Sequence, residues 1–177
     1  MPRLLTILAM LAAGVLAAGA AAYAADYGPE GAPHAGPFRY TCPPNNYLVG
    51  IAGKASDHLD KVGALCAPWS PENRQLGVTS PGAVFGRSME GTPTSAICKA
   101  DEAVSAMDAN APFIKLTCSK MLPPHAPDVA EPEFGSNTPG GQQEKSQCPA
   151  DQLGIGIQGH AGQNVSSISL ICGPAPK

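Results

Sequence analysis

The stretch Cys42-Pro-Pro-Asn-Asn-Tyr-Leu-Val-Gly-Ile-Ala-Gly-Lys-Ala-Ser-Asp-His-Leu-Asp-Lys-Val-Gly-Ala-Leu-Cys66 is matched by Cys148-Pro-Ala-Asp-Gln-Leu-Gly-Ile-Gly-Ile-Gln-Gly-His-Ala-Gly-Gln-Asn-Val-Ser-Ser-Ile-Ser-Leu-Ile-Cys172. Both cysteine pairs are 24 positions apart, and Gly50-Ile51-x-Gly53-x-Ala55 falls on Gly156-Ile157-x-Gly159-x-Ala161 without a gap. A more worn copy runs from Cys98 to Cys118, a spacing of 20, and ends Phe113-Ile114-Lys115-Leu116-Thr117-Cys118. A supersecondary unit used three times fixes the architecture before any single element does.

Each copy reads as strand, turn, strand. The closing strands alternate with the period-two pattern of a half-buried strand. Val62, Ala64 and Cys66 share one face, as do Ile114, Leu116 and Cys118, and Ile168, Leu170 and Cys172. The opening strands put Tyr47, Val49 and Ile51 together, and likewise Leu153, Ile155 and Ile157. The midpoints of the three cysteine pairs are Lys54, Asp108 and His160, each among turn-forming residues. The expectation is a hairpin centred on each midpoint, with its cysteines at the open end, close enough for a disulfide. This predicts Cys42–Cys66, Cys98–Cys118 and Cys148–Cys172, with pairing between repeats as the alternative.

Working outward, the chain starts Met1-Pro2-Arg3, continues with an uncharged apolar run over residues 4–22, and reaches Ala22-Tyr23-Ala24 ahead of Asp26. A basic start, an apolar run and a small-x-small site read as a secretory signal over residues 1–24. A membrane anchor is the alternative, given the length of the run. All six cysteines lie beyond it, and an even count in an exported chain argues for disulfides. The Ala, Gly and Pro-rich composition suggests a GC-rich bacterium, and hence the periplasm or the medium. With 11 Lys and Arg against 14 Asp and Glu, the chain has no basic patch for nucleic acid.

Residues 25–38 read as a flexible N-terminal lead, and residues 39–177 as one domain. The arms between the copies, residues 67–97 and 119–147, are rich in Pro and Gly and long enough to add a strand or two per repeat. Aromatic residues make up only 5% of the chain, so the core must be built from small side chains, and three disulfides compensate for it.

The run Leu48-Val49-Gly50-Ile51-Ala52-Gly53 through Leu59-Asp60-Lys61-Val62-Gly63 resembles the hairpin of jacalin-related lectins. The Cys-Pro opening, the closing cysteine and the three-fold layout are similar to the vitelline membrane outer layer protein family. Both resemblances imply a β-prism, three sheets around a pseudo-three-fold axis. The fold expected is therefore an all-β, three-fold pseudo-symmetric β-prism-like domain of Cys-closed hairpin repeats, following a signal peptide. Jacalin-type sugar sites use a Gly-rich start and a late Gly-x-x-x-Asp loop. Here Gly140-Gly141 resembles the first, but the terminal copy carries Ser166 where the first copy has Asp60. The terminal site of that family therefore does not carry over.

Candidate binding residues follow from the turns. Asp57, His58 and Asp60 cluster at the first, where carboxylates accept hydrogen bonds from sugar hydroxyls; capping of the turn is the plainer reading. Trp69, the single tryptophan, can stack on a sugar ring or cover one end of the core. His160, Gln163 and Asn164 are placed at the third turn. The four histidines lack metal-ligand spacing, and no nucleophile elbow, phosphate loop or dinucleotide fingerprint occurs. The expectation is a secreted or periplasmic non-catalytic binding module for glycans or a cell-surface polymer, without metal or cofactor. The alternative is a structural envelope or coat protein without a small ligand.

Overall fold

A computed structural model describes residues 35–110, 112–127, 132–135 and 144–177. The expected signal peptide, most of the lead, and Gly140-Gly141 lie outside the described residues. The strands are β1 (Gly36–Thr41), β2 (Asn46–Ala55), β3 (Leu59–Ser70), β4 (Gln75–Leu76), β5 (Ser80–Phe85), β6 (Thr92–Ile97), β7 (Glu102–Asn110), β8 (Phe113–Lys120), β9 (Glu133–Phe134), β10 (Glu144–Gln147), β11 (Gln152–Ala161) and β12 (Val165–Pro174). No helix occurs among the described residues. Residues 36–38, read from sequence as the end of the lead, form the start of β1.

The strands make three antiparallel sheets. Sheet I is built on the hairpin β2–β3, with β6 beside β2, and β4 and β5 beside β3. Sheet II repeats this plan on β7–β8, with β10 beside β7 and β9 beside β8. Sheet III has the hairpin β11–β12, and the N-terminal strand β1 takes the place beside β11 that β6 and β10 hold elsewhere. The first and last strands of the described chain thus close the prism by sharing one sheet. Ile51, Met107 and Ile157, then Val62, Ile114 and Ile168, then Ala64, Leu116 and Leu170 fill the common core from equivalent positions.

The disulfides pair as the repeat predicts, with Cα separations of 5.8, 5.7 and 5.5 Å. Their setting differs from the expectation. The opening cysteine does not lie on its hairpin but follows the outer strand of the preceding sheet. Cys42 follows β1, and its amide donates to the Ile155 carbonyl; Cys98 and Cys148 bond Val49 and Ser105 in the same way, at 2.8–2.9 Å. Each bridge therefore ties two sheets: III to I, I to II, and II to III. Between cysteine and hairpin lies a tight turn. It ends at Asn45, Asp101 and Asp151, all at φ near +60°, a conformation that Asn and Asp tolerate through local side-chain hydrogen bonding.

This extra turn displaces the hairpins from the expected midpoints. The pairs Asn46↔Pro68 and Gln152↔Pro174 centre the tips at residues 57 and 163, and the second hairpin closes between Asn110 and Phe113. The bulges explain a second correction. Register shifts fall at Leu48/Gly50, Val104/Ala106 and Gly154/Gly156. A bulge adds one residue and reverses which face the strand buries. Strict alternation placed Tyr47 and Val49 beside Ile51, yet Leu48 is the fully buried neighbour. Leu48, Val104 and Gly154 are equivalent positions, and the third is glycine for want of space. A Cβ at Gly154 would lie 2.9 Å from the Val104 carbonyl oxygen and 3.4 Å from the Leu48 Cβ.

Candidate functional site

The hairpin tips share one end of the prism, and they differ in length. Lys54↔Lys61 in the first copy is equivalent to Asn110↔Phe113 in the second, which accounts for the shorter cysteine spacing of the second copy. The Asp57 and His58 tip has no counterpart there. In the first tip the Ser56 amide donates to the His58 carbonyl at 2.9 Å, and Asp57 and His58 are exposed. In the third tip the Gly162 amide donates to the Asn164 carbonyl at 2.9 Å.

The loop between β5 and β6, residues 86–91, joins these two tips. The Arg87 and Ser88 amides both donate to the Gln163 carbonyl at 2.8 Å. Lys54 Nζ donates to the Met89 carbonyl at 2.9 Å, and Lys61 Nζ contacts the Met89 sulfur at 3.2 Å. Asp57, His58, Gln163 and Asn164 therefore sit on a rim to which this loop adds Arg87, Ser88 and Glu90. Sequence reasoning missed the loop because nothing in residues 86–91 repeats elsewhere in the chain.

Three candidates stand apart from the rim. Asp60 is only 1% exposed and lies under the loop. Gly91, at φ +77°, has its missing Cβ directed at Asp60 Oδ2, which has no hydrogen-bond partner. Asp60 is thus a buried carboxylate in this conformation rather than a surface acceptor. Trp69 is at the opposite end, at the start of the β3–β4 pairing with Leu76, and its amide bonds the Asn45 carbonyl at 2.9 Å. It packs into a small apolar plug with Ala103, Met121 and Leu153, joined by Tyr47 and Leu76. Burial pushes the Tyr47 phenol above its ordinary pKa, and its hydroxyl donates to the Pro174 carbonyl at 3.0 Å. His160 lies on β11 rather than in the turn, for the same reason that the tips are displaced. Its Nδ1 is 3.2 Å from Ser167 Oγ, in a shallow depression that Pro37, Phe38, Arg39, Gln158 and Ser169 also line. Among the described residues no three His, Cys, Asp or Glu come together as a metal site.

A second concavity, of about 480 Å³, lies on sheet II near the cysteine-turn end. Ser119, His125 and Asp151 all line it. A serine–histidine–carboxylate relay would need the histidine bonded to both other groups. Instead, His125 Nδ1 meets the Lys120 carbonyl at 3.0 Å, and Ser119 Oγ donates to Ser105 Oγ at 2.7 Å.

No family model matches the chain, and no curated protein does. Solved structures do. A prostate-specific WGA16 glycoprotein lectin aligns with a TM-score of 0.56 at 12% identity, over 81% of this chain and 94% of that one. Wild-type Malaysian banana lectin aligns with a TM-score of 0.50 at 17% identity, over 80% and 97%. The three-sheet arrangement is thus the β-prism fold of these lectins, as the hairpin resemblance implied.

Proposed function

We propose that the protein is an exported, non-catalytic binding module for glycans or a cell-surface polymer. It would present its ligand to the rim formed by Asp57, His58, Gln163 and Asn164. The carrying observation is the loop of residues 86–91, whose Arg87 and Ser88 amides donate to the Gln163 carbonyl of the third tip and whose Met89 carbonyl accepts from Lys54 at the base of the first. Carboxylate, imidazole and amide groups on these tips offer both donors and acceptors, as vicinal hydroxyls require. The β-prism fold shared with lectins supports the reading by analogy, since sites rather than folds carry function. Three intact disulfides are compatible with an oxidising compartment.

The test is a glycan array probed with the oxidised protein starting at Ala25, beside a reduced and alkylated control. Binding lost on reduction, and lost again in Asp57→Ala/Asn164→Ala, supports the proposal. A blank array from folded protein overturns it.

A further inference from the structure

Aligned by their cysteines, the three copies vary at outward positions such as Ala52, Asp108 and Gln158, and the variation takes a consistent sense at three positions around the bulge and the closing cysteine. The bulged residue is Val49 in the first copy, Ser105 in the second and Ile155 in the third. The residue before the closing cysteine is Leu65, Thr117 and Ile171, and the residue after it is Ala67, Ser119 and Gly173. Two copies thus carry no side-chain polar group at any of the three positions, and the second carries a hydroxyl at all of them. In sheet I, Val49 and Ala67 are buried. Ser119 is as buried as they are, at 4% exposure, and keeps a polar atom there. A fold needing only packing would fill this spot with carbon, because a hydroxyl buried without apolar gain contributes little to stability.

The hydroxyls are ordered. Ser119 Oγ donates to Ser105 Oγ at 2.7 Å, and Ser105 Oγ donates to the Thr117 carbonyl at 3.2 Å. Both hydroxyl protons are spent within the protein, which leaves Ser119 Oγ an acceptor for an incoming O–H. His125 Nδ1 faces a carbonyl, which only accepts, so Nδ1–H donates to it and Nε2 is the ring nitrogen left to face a ligand. Gln147 and Gln152 add amide donors and acceptors, and Lys145 and Asp151 offset each other in charge. The rings of Pro124, Pro127 and Pro149 supply apolar faces. The volume, about 480 Å³, lies within the range of small-ligand sites.

We infer that this groove on sheet II is a second binding site, separate from the hairpin-tip rim, for a neutral saccharide ring. Its hydroxyls are recognised by Ser119, His125 and Gln147, and its C–H face packs on the prolines. Balanced charge argues against a phosphate or a carboxylate ligand, and the density of hydrogen-bonding groups argues against an apolar one. The choice of ligand class rests on the glycan reading above, but the location does not.

The experiment is amide-resolved NMR of the ¹⁵N-labelled, oxidised protein, titrated separately with glucose, mannose, galactose and N-acetylglucosamine. The expected result is that amides of Ser105, Ser119 and Gln147 shift with at least one sugar. Affinity at these amides should fall about tenfold in Ser105→Val/Ser119→Ala and in Gln147→Ala, about the worth of one hydrogen bond. Gln147 is exposed, so its variant tests the site without disturbing the fold. Asp57→Ala/Asn164→Ala should leave the groove shifts unchanged. If shifts appear only at the tips, the groove inference falls while the rim proposal stands. Groove shifts that persist at full affinity in both groove variants also overturn the inference.

Discussion

The hydroxyl pair in sheet II predicts a specific pattern of stability. Ser105→Val introduces the residue that the first copy has at the equivalent position, Val49. It removes the acceptor for Ser119 Oγ, which is 2.7 Å away and nine-tenths buried. A buried donor left without a partner costs about 1–3 kcal/mol. Ser119→Ala takes away that donor but leaves the Ser105 bond to the Thr117 carbonyl intact, so its cost is about 1 kcal/mol or less. The double variant recreates the Val49/Ala67 pair of sheet I. With both partners replaced, no orphan remains, and the expected change is within about 0.5 kcal/mol of zero. The single changes should therefore fail to add, with a coupling of about 1–4 kcal/mol. Urea denaturation of the four proteins, disulfides intact, measures this through the midpoint at constant m. Additivity within about 0.3–0.5 kcal/mol would refute the argument that the hydroxyls form one network retained for something other than stability.

Other consequences test the rest of the structure. The disulfide loops span 20 or 24 residues, so removing any bridge as a double Cys→Ala variant should cost roughly 3 kcal/mol, nearly equal for all three; a chemical denaturation series checks both value and equality. Trp69→Ala should lower stability by about 2 kcal/mol, somewhat less than a fully buried tryptophan, and leave glycan-array binding untouched, because Trp69 belongs to the apolar plug. Tyr47 holds its proton more firmly folded than unfolded. Between its unfolded pKa of about 10 and the higher folded value, the native state binds the extra proton, so stability is full below that window and falls as pH rises through it. A urea midpoint measured against pH should show this decline in the wild type and a flatter profile in Tyr47→Phe.

How far the sequence could be read depended on whether information was local or shared between copies. The disulfide pairing and the core positions Val62, Ile114 and Ile168 were legible because each is repeated. The turns were misplaced for one reason: Cys42, Cys98 and Cys148 look like hairpin ends, while each in fact terminates a strand of the neighbouring sheet. A register error of this kind is invisible to periodicity, since a strand's own alternation says nothing of its partner. The bulges at Val49, Ser105 and Ile155 were hidden likewise, although their conserved role among the copies is evident once Cys42, Cys98 and Cys148 are seen to bond their carbonyls. Asp60 and Trp69 were singled out for chemistry that their residue types permit. Burial, which depends on Gly91 and Met121 from distant parts of the chain, redirected both.

Symmetry separates what holds this molecule together from what distinguishes its sides. The bulge, the positive-φ turn and the inter-sheet bridge recur in all three copies, so each contributes wherever it occurs and none marks a site. The departures are informative. Gly154 departs because Leu48 and Val104 already occupy the axis, a packing reason that closes the matter. The short second tip needs no reason beyond loss of residues. Ser105, Thr117 and Ser119 depart together, toward polarity, at positions where packing alone is satisfied by Val49, Leu65 and Ala67. Three coordinated changes that bring no gain in burial are hard to reconcile with a purely structural face. That is why the groove on sheet II, rather than the histidines or the tryptophan that stand out in the sequence, is where a ligand distinguishes one side of the prism from the other two.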